Sequence, residues 1–554
     1  MSRVGILRDY LAQLRSLDAY FARPLDLAEA RALVRTRVQR RDELFLAMAH
    51  SAFVRPGSPY RALLDAAGCT LRDLEIMVRQ RGVEGTLRAL YQAGVYLSFE
   101  EYNSGEVRRG GREIRFTAAD LAGPGGPGAM ALRTGGTRSG GRWVNLHIDN
   151  LAEQSAPQYG IALDMLAGPR APVFLWQLGF PSGAAIATWF ALGRLRRPPR
   201  RWFSLNPVPP RLFGRRGHHR LLLYAARRAA RRGGVHLPLP EFAPVTDTAK
   251  VLEAVMATLQ TEGRGVVITT PSCAVRLAVE ARRRGGSLRG LGILTGAEPL
   301  TNAKAEEIVR AGARVRCHYA SMEAGLMGAP CGNPRDVDDM HFRSDALAMI
   351  TVPRDLAGVT VETLMLTSLL PTAPRIFWNV EIDDFAQVEE RRCGCVWDEL
   401  GCGPHLLGVR SFTKLTGEGT TVVGSNVVHI VEQVLPQAFG GASTDYQLVE
   451  AEDEERLTRL FLLISPSVGP LDEAVVIGRF TEALRATAGT GLGAGGGMRQ
   501  VWEQADSIRI LRREPISTSL GKLLPFHTLG AAQLDQRGVR KGSDRPTTTG
   551  RSSS

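Results

Sequence analysis

Lysine is nearly absent from this 554-residue chain: five of its 69 basic residues are lysine and the rest are arginine. Aromatic residues are also scarce, at 6%, so no stacking platform for bases accompanies the positive charge. No window reaches the roughly 18 consecutive apolar residues that a membrane-spanning helix needs. The opening MSRVGILRDYLAQLRS mixes charges into an amphipathic pattern and lacks the apolar core of a secretory signal. The seven cysteines are few and odd in number, which argues against a disulfide framework and for a reducing cytoplasm.

The net charge is +13, and most of it lies between Arg194 and Arg232, in RLRRPPRRW and ARRAARR. The skew to arginine reads as compositional bias. We expect a solvated basic face there and no nucleic-acid partner; steep salt dependence of retention on DNA would be the sign of the opposite.

A chain of this length exceeds one hydrophobic core, so two or more domains are expected. Residues 1 to about 120 carry apolar residues at three- and four-residue spacing and predict helices. From Pro172 to about Glu381 short apolar runs such as APVFLWQL, GVVITT and LRGLGILTGA alternate with helical patterns. That alternation predicts an α/β domain with a mainly parallel sheet flanked by helices. Beyond Gly408 the pattern changes to that of a small α+β domain, and the polar end from 531 to 554 reads as disordered.

One Gly-rich stretch carries chemistry: LRTGGTRSGGRWV, from Leu132 to Val144. Gly135 and Gly140 have the spacing of a Walker loop, but Gly141 occupies its lysine position, so the stretch is not one. Thr134, Thr137 and Ser139 offer hydroxyls, backbone amides can form an anion nest, and Arg138 and Arg142 supply charge. A plain surface hairpin loop fits this stretch equally well. A second cluster, GLGAGGG from Gly491, formally matches a dinucleotide fingerprint but follows a helical pattern, and reads as a flexible loop.

Four further segments follow in order: LTGAEPLT (294–301), CHYASMEAG (317–325), NVEIDDFA (379–386) and EPISTSLGKLLPFHT (514–528). Together with the Gly-rich stretch they resemble the adenylate-forming superfamily of acyl-CoA synthetases, in its phenylacetate–CoA ligase-like branch. The resemblance implies a large domain over 1–409, a small mobile domain over 410–530 and a hinge near Arg410 to Gly419. It implies that Thr134, Gly135, Gly136, Thr137 and Ser139 grip ATP phosphates, although the usual lysine near the loop's end is arginine here. It sets Gly296, Ala297, Glu298 and Pro299 against adenine, stacks Tyr319 on it, and gives Mg²⁺ to Glu323. The usual glycine after the tyrosine is Ala320. Asp384, or its neighbour Asp383, would hold the ribose, with Arg410 following. Lys522, in a Thr-x-x-Gly-Lys segment, would be the catalytic lysine that bridges substrate carboxylate and α-phosphate.

Cys331, His341, Cys393 and Cys395 form a C-x9-H…C-x-C set, and the resemblance implies a structural Zn²⁺ there, because three thiolates and an imidazole suit tetrahedral zinc. Buried, unliganded cysteines are the alternative, and Cys402 is left over. The implied activity is ATP-dependent activation of a small carboxylic acid to an acyl-AMP, then transfer to a thiol, most often coenzyme A. The segment KLTGEGTTVVGSNVVHIVEQVLP departs from the family's hinge: the usual Asp–Asp is missing, with Glu418 the nearest carboxylate. A carrier protein, an amine or a protein cysteine therefore stands as an alternative acceptor, and a catalytically silent nucleotide-binding relative as an alternative role.

Overall fold

The computed structural model describes residues 15–123, 130–133, 143–177, 179, 183–205, 217–244, 247–297, 300–356, 359–411, 416–417, 420–421, 428–452, 458–487, 508–517, 523 and 525–529. The chain divides into two compact units: the larger runs to residue 354 and resumes over 361–411, and the smaller is built mainly from 412–517 and the chain from 523.

In the larger unit, helix α1 (Leu27–Gln39) starts at a capping box between Asp26 and Glu29, and α2 (Leu71–Gln92) at one between Thr70 and Asp73. Each box satisfies two backbone amides that the first helical turn leaves without partners. The helical run ends in a hairpin over Glu106–Arg109 and Arg112–Arg115, turned by Gly110 and Gly111 at φ 54° and 76°. Two successive positive φ values are the geometry in which glycine pairs excel. Strands β1 (Met130–Arg133) and β2 (Trp143–Leu146) then pair antiparallel, and α3 (Ala156–Ala167) follows.

The β/α alternation builds a six-stranded sheet. Its strands are β3 (Val173–Gln177), β4 (Arg201–Ser204), β5 (Pro240–Phe242), β6 (Gly265–Thr269), β7 (Leu291–Thr295) and β8 (Arg314–Cys317), in the order β8-β7-β6-β3-β4-β5. All five pairings are parallel. Helices α4 (Gly183–Arg194), α5 (Gly217–Arg232), α6 (Thr248–Glu262), α7 (Pro271–Arg283) and α8 (Asn302–Arg310) make the connections. Along β3, Val173 and Leu175 enter one core with Trp189 and Trp202, while Phe174 and Trp176 enter the other with Phe203 and Leu252. A sheet covered on both faces buries its central strands, which is why β6 and β7, buried throughout, read as nearly unbroken apolar runs. Each large side chain so buried contributes about 1.5–3 kcal/mol.

At Tyr319 the alternation stops. A seven-stranded sheet follows: β9 (Tyr319–Ser321), β10 (Gly325–Pro330), β11 (Met340–Phe342), β12 (Leu347–Leu356), β13 (Val359–Ser368), β14 (Val380–Glu390) and β15 (Pro404–Ser411). The order is β9-β10-β11-β15-β14-β13-β12, and the five pairings from β9 to β13 are antiparallel. The sequence pattern had carried the parallel alternation on to about Glu381, some sixty residues too far. Helix α9 (Val396–Glu399) sits between β14 and β15.

The arginine-rich region is not a bare basic face. Arg194 donates to the Tyr20 carbonyl at 3.0 Å, and Arg197 to the carbonyls of Gly168 and Ala171 at 3.2 Å each. Arg201 grips both oxygens of Glu241, and Arg232 pairs with Asp18 at 2.8 Å. The planar guanidinium, with five donors, suits this bracing of chain turns.

In the smaller unit, β16 (Tyr446–Glu452), β17 (Thr458–Ile464), β18 (Ile508–Arg512) and β19 (Phe526–Leu529) form a sheet in the order β18-β17-β16-β19. Helix α10 (Glu473–Thr487) sets Val476 and Phe480 into a core with Ile430, Leu448 and Leu462.

Candidate nucleotide and metal sites

Loops that leave the carboxyl ends of parallel strands are where α/β folds place ligands. Two sequence motifs sit there. β7 ends at Thr295, and Gly296 follows packed against the His318 ring: a β-carbon on Gly296 would lie 2.5 Å from His318 Nε2. Ala297 next adopts φ 71°, a left-handed conformation that a β-carbon disfavours and that clusters at functional sites. Glu298 and Pro299 lie outside the described residues. Thr301 caps α8 by accepting from the Lys304 amide.

β8 ends at Cys317, and the His318 amide donates to the Thr295 carbonyl at 2.8 Å, tying the two strand ends together. The His318 ring meets Tyr159 edge-on at 5.9 Å. Burial pushes its pKa down to about 4, so the ring is neutral at physiological pH. No spacing pattern singled out His318; its position between Cys317 and Tyr319 was the only signal.

Tyr319, on β9, donates its hydroxyl to Asp384 Oδ2 on β14 at 2.5 Å, across 65 positions of sequence. Asp384 stands opposite Ser411 in the β14–β15 register, and Arg410 opposite Phe385. The structure thus brings Tyr319 and Asp384 together. Asn379, the first residue of the same motif, holds φ 48° and donates from its amide group to the carbonyls of Leu87 and Val95.

Glu323 lies in the turn between β9 and β10, partly buried. Gln154 fastens that turn from below by donating to the carbonyls of Ala324 and Leu326, each at 3.3 Å. The Glu323 carboxylate has no hydrogen bond or ion pair to another side chain among the described residues, so it is available to a cation. Thr134, Gly135, Gly136, Thr137 and Ser139, between β1 and β2, lie outside the described residues, as does Lys522.

The cysteine and histidine set converges. The ligand atoms of Cys331, His341, Cys393 and Cys395 all lie within 4.8 Å of one another. Cys331 follows β10, His341 is on β11, and the two further thiols flank the turn after β14. Glycine is required at 332, where a β-carbon would meet the Cys395 β-carbon at 2.9 Å and Met165 Sδ at 3.0 Å. His341 Nδ1 is 2.6 Å from the Cys402 carbonyl. That contact makes Nδ1 the protonated nitrogen and turns the Nε2 lone pair to Cys393 Sγ at 3.3 Å and Cys395 Sγ at 3.1 Å. An outer carbonyl that fixes the imidazole in this way is the usual support of a metal-bound histidine.

A hydrogen bond from the Cys331 thiol holds Cys395 far below its ordinary range, whereas Cys331 is pushed up. Cys402 contributes its carbonyl; its own thiol is buried and pushed up to about 12. Behind the set, His405 packs on the His341 ring at 4.0 Å and bonds Asp339 at 2.6 Å, which also accepts from Arg391. Three sulfurs and one nitrogen within a tetrahedron's span are the donor set of structural zinc.

Neither a protein-family model nor a curated protein sequence matches the chain. Among solved structures it is similar to 2-hydroxyisobutyryl-CoA ligase in the postadenylation state in complex with R3-HIB-AMP. The TM-score is 0.52 at 14% identity, over 94% of each chain. The same enzyme with 2-HIB-AMP gives 0.49 at 14% identity over 94% of each chain. An ATP-bound RpMatB-BxBclM chimera gives 0.44 at 12% identity, over 96% of this chain and 98% of that one. The first of these shows that the chain shares the fold of 2-hydroxyisobutyryl-CoA ligase.

Proposed function

On the adenylate-forming fold, we propose that this chain is an AMP-forming acid–thiol ligase. It activates a small carboxylic acid with ATP, giving an acyl-AMP and pyrophosphate, and passes the acyl group to a thiol, coenzyme A in the first instance. The observation that carries this reading is the hydrogen bond between Tyr319 and Asp384, one residue on from the His318 that packs against Gly296, which links three motifs near the strand ends. The structural neighbour was captured with an acyl-AMP, which is the intermediate this reading requires.

The acid's carboxylate attacks the α-phosphate in line, the phosphoanhydride bond breaks, and pyrophosphate leaves. Gly296 lets the chain lie flat against the adenine, Tyr319 stacks on it, and Asp384 accepts from the ribose hydroxyls. Lys522 neutralises the charge shared by carboxylate and α-phosphate, with positioning supplying much of the remainder. Glu323, whose carboxylate has no side-chain partner among the described residues, would hold Mg²⁺, which offsets charge on the phosphates when bound. Thr134, Thr137 and Ser139 are assigned to the phosphates. Cys331, His341, Cys393 and Cys395 would hold zinc and pin β11 and the end of β10 to the turn that follows β14, the strand that carries Asp384.

The test is product analysis. Protein is incubated with ATP, Mg²⁺ and a panel of hydroxylated, aromatic and fatty acids, with and without coenzyme A, and read by mass spectrometry. An acyl-AMP without coenzyme A and a thioester with it are expected for one class of acid. Acyl-AMP that never becomes a thioester would move the acceptor to a carrier protein, amine or protein thiol. No adenylate with any acid would leave only a nucleotide-binding relative.

A further inference from the structure

We propose that Cys393 is a site of oxidative modification, and that its oxidation closes a Cys331–Cys393 disulfide which dismantles the zinc-binding set. The inference does not depend on adenylation. Cys331 and Cys393 hold their sulfurs 3.7 Å apart, from segments 62 positions distant in sequence. Of the three thiols, Cys393 alone is half-buried; Cys331 and Cys395 are buried. An oxidant arriving from solvent therefore meets Cys393 first. Binding to zinc requires the sulfurs as thiolates, and thiolate is also the form that peroxides attack.

Cys331 is the better resolving partner than Cys395. A disulfide between residues 393 and 395 would close a very small ring around Gly394, whereas Cys331 comes from a separate segment and faces Cys393 already. The step balances. A peroxide oxygen is transferred to Cys393 Sγ, the O–O bond breaks, and hydroxide leaves, giving a sulfenic acid. Cys331 sulfur then attacks Cys393 sulfur, the S–O bond breaks, a second hydroxide leaves, and the S–S bond forms. Two thiolates lose two electrons and one peroxide gains them. Only His341 and Cys395 then remain as donors, too few to close a tetrahedral site.

The other cysteines give internal controls. Cys69 is also half-buried but belongs to no cluster, and Cys273, Cys317 and Cys402 are buried. The experiment titrates the full-length, zinc-loaded protein with hydrogen peroxide. It follows zinc with a chromogenic chelator and maps cross-links by fragmentation of non-reduced peptides. One zinc should appear per Cys331–Cys393 cross-link, thiol reductant with added zinc should reverse both, and Cys69→Ser should change neither. Cys393→Ser should abolish the cross-link. Because that variant removes a donor, zinc-free wild type treated with diamide provides a second test and should give the same cross-link. Zinc retained with Cys393 intact after Cys69 has been oxidised would overturn the proposal. So would a cross-link confined to Cys393 and Cys395, or none in the zinc-free protein.

Discussion

Ala297 and Tyr319 carry the site's two most informative single-residue features. Ala297 at φ 71° stores strain of about 1–3 kcal/mol that a glycine would relieve. Ala297→Gly is expected to raise the melting temperature while adenylation does not improve, as checked by calorimetry beside the rate of acyl-AMP formation. Tyr319→Phe removes the donor to Asp384, and bonds to charged groups are worth about 1.5–3 kcal/mol. The KM for ATP should rise roughly tenfold or more, with the KM for the acid little changed.

His318 gives a pH signature. Its folded-state pKa, about 4, lies below the ordinary 6.5, so the unfolded chain takes up the proton first as pH falls. Stability from this group is complete above 6.5 and is lost as pH drops toward 4, by about 3 kcal/mol at most. His318→Phe should flatten urea-denaturation stability over that window; an unchanged slope would show that the imidazole is not desolvated. The tyrosine and the aspartate were legible in the sequence because each belongs to a motif. The histidine was not, because nothing about its neighbours in sequence reports that a glycine from another loop closes over it.

The elements divide by how locally they are determined. Strands β3, β6 and β7 are apolar up to their last residue because both faces are covered, and a short window of sequence is enough to see them. The antiparallel sheet is different: β11 sits between β10 and β15, whose residues pair across long stretches of chain, as His341 does with His405. Only the completed topology makes that pairing. The same holds for the metal set: the spacing shows four donors, but His341 and Cys393 meet across 52 positions only because β10, β11 and β15 are neighbours.

Chelator treatment tests the zinc proposal: it should loosen the segments that supply the donors, read as faster hydrogen exchange over 331–341 and 391–403 with the six-stranded sheet unchanged. A second buried element, the turn from β11 to β12, depends on the ion pair of Arg343 and Asp345, both fully buried and 2.6 Å apart. Gln158 on α3 also accepts from Arg343. Asp345→Ala leaves a buried guanidinium without its counter-ion and should cost about 3–5 kcal/mol by chemical denaturation.

At the scale of the whole molecule, the net charge of +13 is less available than the sequence implies, because several arginines between 194 and 232 brace carbonyls and carboxylates. Retention on DNA or heparin should be weak and lost at moderate salt. The parallel sheet was expected from patterning, whereas the domain bounds, the phosphate loop and Lys522 rest on motif resemblance and are tested by chemistry. That chemistry is ATP–pyrophosphate exchange, measured with wild type and Lys522→Ala across the acid panel. The account predicts exchange that depends on one class of acid and falls roughly 10²–10³-fold in the variant. ATP binding with no acid-dependent exchange in the wild type, or exchange indifferent to Lys522→Ala, would contradict it.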